Sequence, residues 1–425
     1  NDSLLTIDLN DPLLRAAAKG LNGPFLRLGG TPEDEIIYNI DGACAKVKSF
    51  YGCLTIERWT ELNQFSIDVG FKLILGLNAR FGRTSKDSHM DFSNIEALFK
   101  VTTASGFPSS NLWGFELGNE LYDRVDYSVL AADYITLAAL IEKYWPNEEN
   151  RPKFLGPDYY HHSGINQFLE SPAQPGKVMH GVTYHEYPNC LPTLGDYVLD
   201  PECLDGMKGA PDLINPVRAK YAPNAELWHG EGAEHSGGGI ENVTDTFISS
   251  IYYADCLGLL GTLNVSVMLR QTLAGGDYGL LATQGFSPQP DYWIAWIWNK
   301  IVGNKVLATK QLEDHPGVRL YAHCGKEPNT VVIIALDISN HDDVDVTLQL
   351  TGAQRTSHMR DEYHITAQNG DFRARKVNLN GELLEMSGYN LPALNPKTVS
   401  SSSTLHLTKG SIAFVEYHTV TTACS

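Results

Sequence analysis

The sequence predicts a (β/α)8 barrel followed by an antiparallel β-sandwich. Three observations carry that prediction. Up to about residue 310, short apolar β-prone runs alternate with longer amphipathic runs, the rhythm of a parallel barrel. Two of the short runs end on a glutamate: Leu112 to Leu117 leads into Gly118-Asn119-Glu120, and Glu226-Leu-Trp-His-Gly closes on Glu231. Beyond residue 310 the pattern changes to alternating or β-branched segments between turns. A chain of 425 residues has room for a barrel of about 250 residues and a second domain. The division expected is 1–310 for the barrel and 311–425 for the sandwich.

The elements follow in order. Residues 11–19, with Pro12 early, read as a helix, and residues 25–28 as a strand ending at Gly29-Gly30-Thr31. A helix over 54–69 precedes a strand over 72–77 that ends at Asn78. The helix over 94–104 takes Ser93 as its cap. After the Glu120 strand come a helix over 130–144, a short strand over 153–155, a helix over 164–169 and a strand over 178–184 ending at His185 and Tyr187. A helix over 212–221 leads to the Glu231 strand, then a helix over 246–260, a strand over 265–269 ending at Arg270-Gln271, and a helix over 291–302. Trp293, Trp296 and Trp298 on that last helix read as core packing. Glu33, Asp34 and Glu35 read as a solvated helix start. Eight helices thus meet only seven strands. Residues 4–9 are one source of the missing strand, and a strand upstream of Asn1 is the favoured one. The sandwich strands are expected over 318–323, 330–336, 344–350, 362–365, 374–379 and 411–418.

Composition narrows the function. The net charge is −18 with no basic cluster, which speaks against nucleic acid and highly sulfated polyanions as partners. No apolar run reaches the roughly 18 residues of a membrane span, and no signal peptide is visible at Asn1. The seven cysteines match no zinc ribbon or finger, so no metal or cofactor enters the reading. Cys44 and Cys53, Cys190 and Cys203, and Cys324 and Cys424 each bracket a segment and are expected to form three disulfides. Cys256, inside a helical run, is expected to be a buried free thiol. Disulfides, with glycosylation-type sequons at Asn1, Asn242 and Asn264, point to a secreted or a vacuolar-lysosomal protein.

Glu120 and Glu231 are separated by about three or four barrel units, so they can meet across the barrel mouth. Two facing carboxyls, one acid and one nucleophile, are what glycoside hydrolysis needs. The runs Leu26-Arg-Leu-Gly-Gly-Thr31, Gly76-Leu-Asn78, Phe115-Glu-Leu-Gly-Asn-Glu120, Arg270-Gln271, Gly275-Gly-Asp-Tyr-Gly-Leu280, Pro290-Asp-Tyr-Trp293 and Tyr321-Ala-His-Cys324 resemble glycoside hydrolase family 79. That family holds the heparanases, β-glucuronidases and plant heparanase-like proteins. The plant-like members look closest, through Arg58-Trp-Thr-Glu-Leu-Asn63 and Arg360-Asp-Glu-Tyr-His-Ile-Thr366.

The resemblance implies a (β/α)8 barrel with a β-sandwich, a retaining mechanism, and a first strand with an acidic sugar-binding residue upstream of Asn1. It makes Glu120 the general acid/base and Glu231 the nucleophile. Asn119 would bond the sugar 2-hydroxyl, and Tyr187, beside His185, would orient the nucleophile. Gly238, Gly276 and Tyr278 would receive the uronate carboxylate. Asn78 and Gln271 either touch the sugar or make structural hydrogen bonds. One departure concerns the loop after Glu231, where Ser236 stands in place of an aromatic residue and Glu234 adds negative charge. His235, if protonated, would offset that charge. The leading expectation is an exo-acting β-glucuronidase on a small glucuronide or glycan end. The alternatives are an endo-β-glucuronidase on a uronate-containing polysaccharide and an inactive carbohydrate-binding homologue. The expected partner is the glucuronide or glycan itself, with room for peripheral membrane or cell-wall association.

Overall fold

The computed structural model describes residues 5–46, 52–188, 199–313, 315–339 and 341–424. Seven strands pair in chain order and all in parallel: Phe25–Leu28, Lys72–Leu77, Leu112–Leu117, Lys153–Tyr159, Gly181–Glu186, Glu226–Gly232 and Val265–Arg270. Parallel neighbours need a crossover. Helices supply each one: Ile56–Val69, Ser93–Thr102, Tyr127–Tyr144, His162–Leu169, Gly209–Tyr221 and Phe247–Thr262. Pro290–Ile301 follows the last strand. The first and last strands come together across a seam, so the sheet is a nearly closed barrel. Residues 5–10 are turns, and among the described residues the barrel has seven strands.

The barrel interior is plugged at its amino end by rings. Phe25 packs 4.6 Å from Trp113 and 4.8 Å from Trp228, and the two indoles stack at 5.2 Å. Ile74, Leu155 and Leu269 complete this floor. Trp228, Ile74 and Leu155 are buried, so the floor is a packed core and not a pore, and truncating a buried ring such as Trp228 costs about 3–5 kcal/mol. Toward the carboxyl ends of the same strands the interior turns polar, with Arg27, Glu116 and Asp158.

Several local expectations shift for stated reasons. Ser93 is the first residue of its helix rather than the cap, and its N–H donates to Asp91 at 2.8 Å. Leu54 ends a short strand parallel to Ile36–Tyr38, so the next helix starts at Ile56 with Thr55 accepting from the Arg58 N–H. Residues 175–177 form a 3-10 turn, which delays the next strand to Gly181. Glu33 and Asp34 do not make a solvated helix start: both are buried in the 3-10 helix Thr31–Glu35.

The second sheet is antiparallel, in the order Val302–Leu307, Val318–Gly325, Thr330–Asp337, Ser411–Val420, Gln354–Ala367, Val377–Leu379 and Glu382–Leu383. One face, with Val332, Ile334, Leu336, Ile412 and Phe414, joins the core of the barrel. The other face packs under the pair Val344–Val346 and Leu405–Leu407. Coverage on both faces explains why every residue of Thr330–Asp337 is buried. Cys44–Cys53 and Cys324–Cys424 are bonded, and Cys256 is free and buried. Cys190, and so its expected bond to Cys203, lies outside the described residues. No helix among the described residues is long and apolar enough to cross a membrane.

Candidate active site

Glu120 and Glu231 sit at the carboxyl ends of the third and sixth strands. The chain turns sharply after Leu117 through Gly118 at φ 79° and Glu120 at φ 53°. A left-handed φ at a non-glycine residue costs on the order of 1 kcal/mol and persists only where neighbours hold it. Here the Glu120 N–H donates 2.9 Å to the carbonyl of Asp158, itself left-handed at φ 59°. The Asp158 N–H is held in turn by the Thr183 hydroxyl at 3.0 Å.

Three polar side chains converge. One carboxylate oxygen each of Glu120 and Glu231 and one ring nitrogen of His185 all lie within 4.8 Å of one another. His185, wholly buried, meets Glu120 Oε1 through Nδ1 at 2.8 Å and Asp158 Oδ1 through Nε2 at 3.3 Å. Burial works against its charge. The charge of Glu231 and the hydrogen bonds to Asp158 and Glu120 outweigh burial and lift the imidazole to about 9. Glu231 accepts from the Tyr187 hydroxyl at 2.7 Å and from Arg27 Nη1 at 2.8 Å. Burial alone would raise its pKa, but the charges of His185 and Arg27 and these hydrogen bonds hold it below the usual carboxylate range.

Arg27 is the centre that reading the sequence did not single out. It donates to Glu116 at 2.6 Å, to Glu231 at 2.8 Å and to Asn119 Oδ1 at 3.0 Å, and it lies 3.6 Å from Asp158 and 3.7 Å from Glu33. One buried guanidinium thus faces four carboxyls. The surplus shows: both oxygens of Glu33, Oε1 of Glu116 and Oδ2 of Asp158 have no hydrogen-bond partner among the described residues. Burial pushes Glu116 up to about 7 and holds Glu33 well above the usual carboxylate range, in each case against the charge of Arg27. The Glu33 carboxyl fits because residue 76 is glycine, where a Cβ would fall 2.0 Å from Glu33 Oε2. Asp34 ties two strand ends together, accepting from the Ala79 N–H and the Asn119 N–H, both at 2.8 Å. A charged residue inside a short apolar strand was the available signal for Arg27 and Glu116, since such strands otherwise run apolar.

The remaining candidates divide. A cavity of about 1290 Å³ opens beside Glu231 and is lined by Arg27, Gly238, Gln271 and Tyr278. Gly276 does not line it but supports it, because a Cβ there would stand 2.8 Å from the Gly238 carbonyl. The Gln271 side chain bonds Tyr278. Asn78 is turned to structure: its amide donates to Ile36 O at 3.0 Å, and its Oδ1 accepts from the Arg80 and Phe81 N–H groups at 2.8 and 3.0 Å. Glu234 does not add charge to the cavity as expected. It is fully buried, paired with Arg270 at 2.7 Å and bonded by Ser249, and burial pushes it up to about 7 against that arginine. His235 turns to the Ser236 carbonyl at 2.8 Å.

Comparisons with known proteins bear on this arrangement. Residues 1–258 match the family described as "Glycosyl hydrolase family 79, N-terminal domain". "Heparanase-like protein 1" of Arabidopsis thaliana is 30% identical over 470 residues, covering 97% of this chain and 85% of that protein. "Baicalin-beta-D-glucuronidase" of Scutellaria baicalensis is 29% identical over 455 residues, covering 97% and 84%. The structure of the alpha-L-arabinofuranosidase from Thermotoga maritima matches with a TM-score of 0.66 at 13% identity, covering 95% of this chain and 89% of that one. That identity supports the fold alone.

Proposed function

Because this chain belongs to glycosyl hydrolase family 79, we propose that it is a retaining exo-β-glucuronidase, with Glu231 as nucleophile and Glu120 as general acid and base. The observation that carries the reading is the approach of the two carboxyls, whose oxygens lie within 4.8 Å. Retaining enzymes hold their carboxyls about 5–5.5 Å apart, whereas inverting ones leave about 6.5–9.5 Å for a water.

Each residue then has a task. Glu231, kept ionised by Arg27 and Tyr187, attacks the anomeric carbon and forms a glycosyl ester. The glycosidic oxygen leaves with a proton from Glu120. His185 and Glu120, 2.8 Å apart, hold that proton as a pair. In the second step Glu120 takes a proton from water, the water oxygen bonds the anomeric carbon, and the ester to Glu231 breaks. Asn119, oriented by Arg27, bonds the 2-hydroxyl, where contacts strengthen at the transition state. Tyr278 and the backbone at Gly238 receive the uronate. Arg270 supports this role, standing 6.0 Å from the Tyr278 ring. The name of the Scutellaria baicalensis relative supports a glucuronide as substrate. The disulfides support a secreted or vacuolar-lysosomal setting.

The test is hydrolysis of an aryl β-glucuronide beside the matching β-glucoside and a heparan chain, with two variants. Glu231→Gln should abolish turnover of the glucuronide with the fold intact. Glu120→Gln should slow substrates with poor leaving groups most, and azide should restore part of its turnover on an activated one. Full activity in Glu231→Gln, or equal losses in both variants without azide rescue, overturns the assignment. Preference for the glucoside overturns the uronate.

A further inference from the structure

The loops that follow Glu120 and Asp158 carry aromatic rings that the mechanism above does not use. Tyr122 lies two residues past Glu120, and Tyr160 two residues past Asp158. The hydrogen bond from the Glu120 N–H to the Asp158 carbonyl brings the two loops together at their roots. The rings meet: Tyr122 and Tyr160 stand at 4.8 Å and 81°, with their hydroxyls bonded to each other. His161 closes the third side, 4.4 Å from Tyr122 at 49° and 4.6 Å from Tyr160 at 40°. Tyr160 is 41% exposed, which leaves it an open face.

We propose that Tyr122, Tyr160 and His161 form the subsite for the leaving group, and that it accepts a planar aromatic aglycone. This inference rests on the assignment of Glu120 as the acid. That residue protonates the glycosidic oxygen, so the aglycone must pass beside it. The deep cavity does not compete for this role. It opens along Glu231, Gly238 and Tyr278, and neither tyrosine of the cluster lines it. Tyr160 is close enough to Glu120 to feel its charge.

The chemistry of the wall selects a flat ring. Two phenols nearly at right angles, with a tilted imidazole behind them, let an incoming aryl group stack on one ring and meet another edge-on. A sugar at this place would call for free hydrogen-bonding groups around its rim. Here the two phenolic hydroxyls turn toward each other and share one hydrogen bond, so the wall meets an incoming group with ring faces and edges first and polar atoms second.

Two measurements test the subsite. The first is the ratio of kcat/KM on a flavone β-glucuronide to kcat/KM on methyl β-glucuronide, and the same ratio for a glucuronyl disaccharide. Tyr160→Ala should lower the flavone ratio about tenfold, the size of a lost aromatic contact, and leave the disaccharide ratio within about twofold. Tyr160→Phe should restore the flavone ratio. The second is binding of the free flavone, which needs no turnover: Tyr160→Ala should weaken it about tenfold. A flavone affinity equal in wild type and Tyr160→Ala, or an equal fall for flavone and disaccharide, overturns the subsite. If the wild type binds flavone through Tyr160 yet cleaves no glucuronide, the glucuronidase reading fails and the aryl subsite stands.

Discussion

Two buried arginines organise the two parts of this molecule, and they do it differently. In the sandwich, Arg360 is buried against one carboxylate. It donates to Glu362 through Nε at 2.9 Å and Nη2 at 2.6 Å and to the Tyr417 hydroxyl at 2.7 Å, while His364 meets the second Glu362 oxygen at 2.8 Å. In the barrel, Arg27 faces Glu33, Glu116, Asp158 and Glu231 at once, and four of their oxygens stay unbonded among the described residues. A satisfied network specifies a packed core, whereas a network with surplus charge in a low dielectric is costly. Such a cost is tolerated where the charge has work to do. Burial and charge alone therefore do not mark a functional site. The imbalance between donors and acceptors does.

Substitution of each arginine tests that contrast. Arg27→Met should have the largest effect. We expect kcat/KM to fall by at least about a thousandfold, since the variant loses the partner of Glu231 and the orientation of Asn119. Stability at neutral pH should fall by about 3–5 kcal/mol, because the buried cluster of carboxyls loses Arg27 and keeps only the His185 imidazolium as a counter-ion. That deficit should shrink as the pH is lowered and those carboxyls take up protons. A variant as stable as the wild type by denaturant melts would break the comparison.

Arg360→Met comes next. It should also cost about 3 kcal/mol in the same melts, since Glu362 is left buried with only His364 beside it, but kcat/KM should stay within about twofold. Replacing Glu362 by Leu as well should recover part of that stability. Replacing Arg27 and Glu116 together should recover none of the activity.

The smallest effect is a shift in pH dependence. Asp158 bonds the His185 imidazolium, so its charge favours the protonated ring. His185 is lifted to about 9 in the folded protein. The stability it lends is therefore fully present below its unfolded value of about 6.5 and lost as the pH rises through about 9. The alkaline limb of the kcat/KM profile should fall near that point in the wild type. In Asp158→Asn the limb should move to lower pH. An unmoved limb would separate Asp158 from the proton held by His185 and Glu120.

Much of this was legible in the residues. The alternation of runs pointed to the barrel, the rule that chemistry sits at strand carboxyl ends pointed to Glu120 and Glu231, and the family resemblance added Asn119 and Tyr187; the four do converge. What escaped was set by three-dimensional accounting. Glu33 and Asp34 follow Thr31-Pro32 and look like an acidic helix start, yet the 3-10 turn swings them under the site, where Asp34 holds two backbone N–H groups. Glu234 looks like a charge in the sugar's path until Arg270, from the next strand, is placed against it. Asn78 sits where a sugar ligand would be expected, but three backbone groups use its amide first. In each case a partner distant in sequence decides what a local pattern can only pose.

One junction has a practical consequence for cutting the chain. The helix Phe247–Thr262 follows the strand that presents Glu231, and its first N–H groups would find no carbonyl within the helix. The Phe247 N–H donates to Ala374 O at 2.9 Å and the Ile248 N–H to Phe372 O at 3.0 Å. Arg375 adds an ion pair with Asp245, and Arg373 donates to Asn242 O at 2.7 Å. The sandwich therefore writes the opening turn of a barrel helix. A gene shortened to the barrel would express a helix with its start erased, and the loop leading back to Glu231 would lose its anchor. For recombinant work the smallest useful unit is the two-domain chain, and libraries that swap sandwiches between relatives should carry residues 372–375 along with the barrel they fasten.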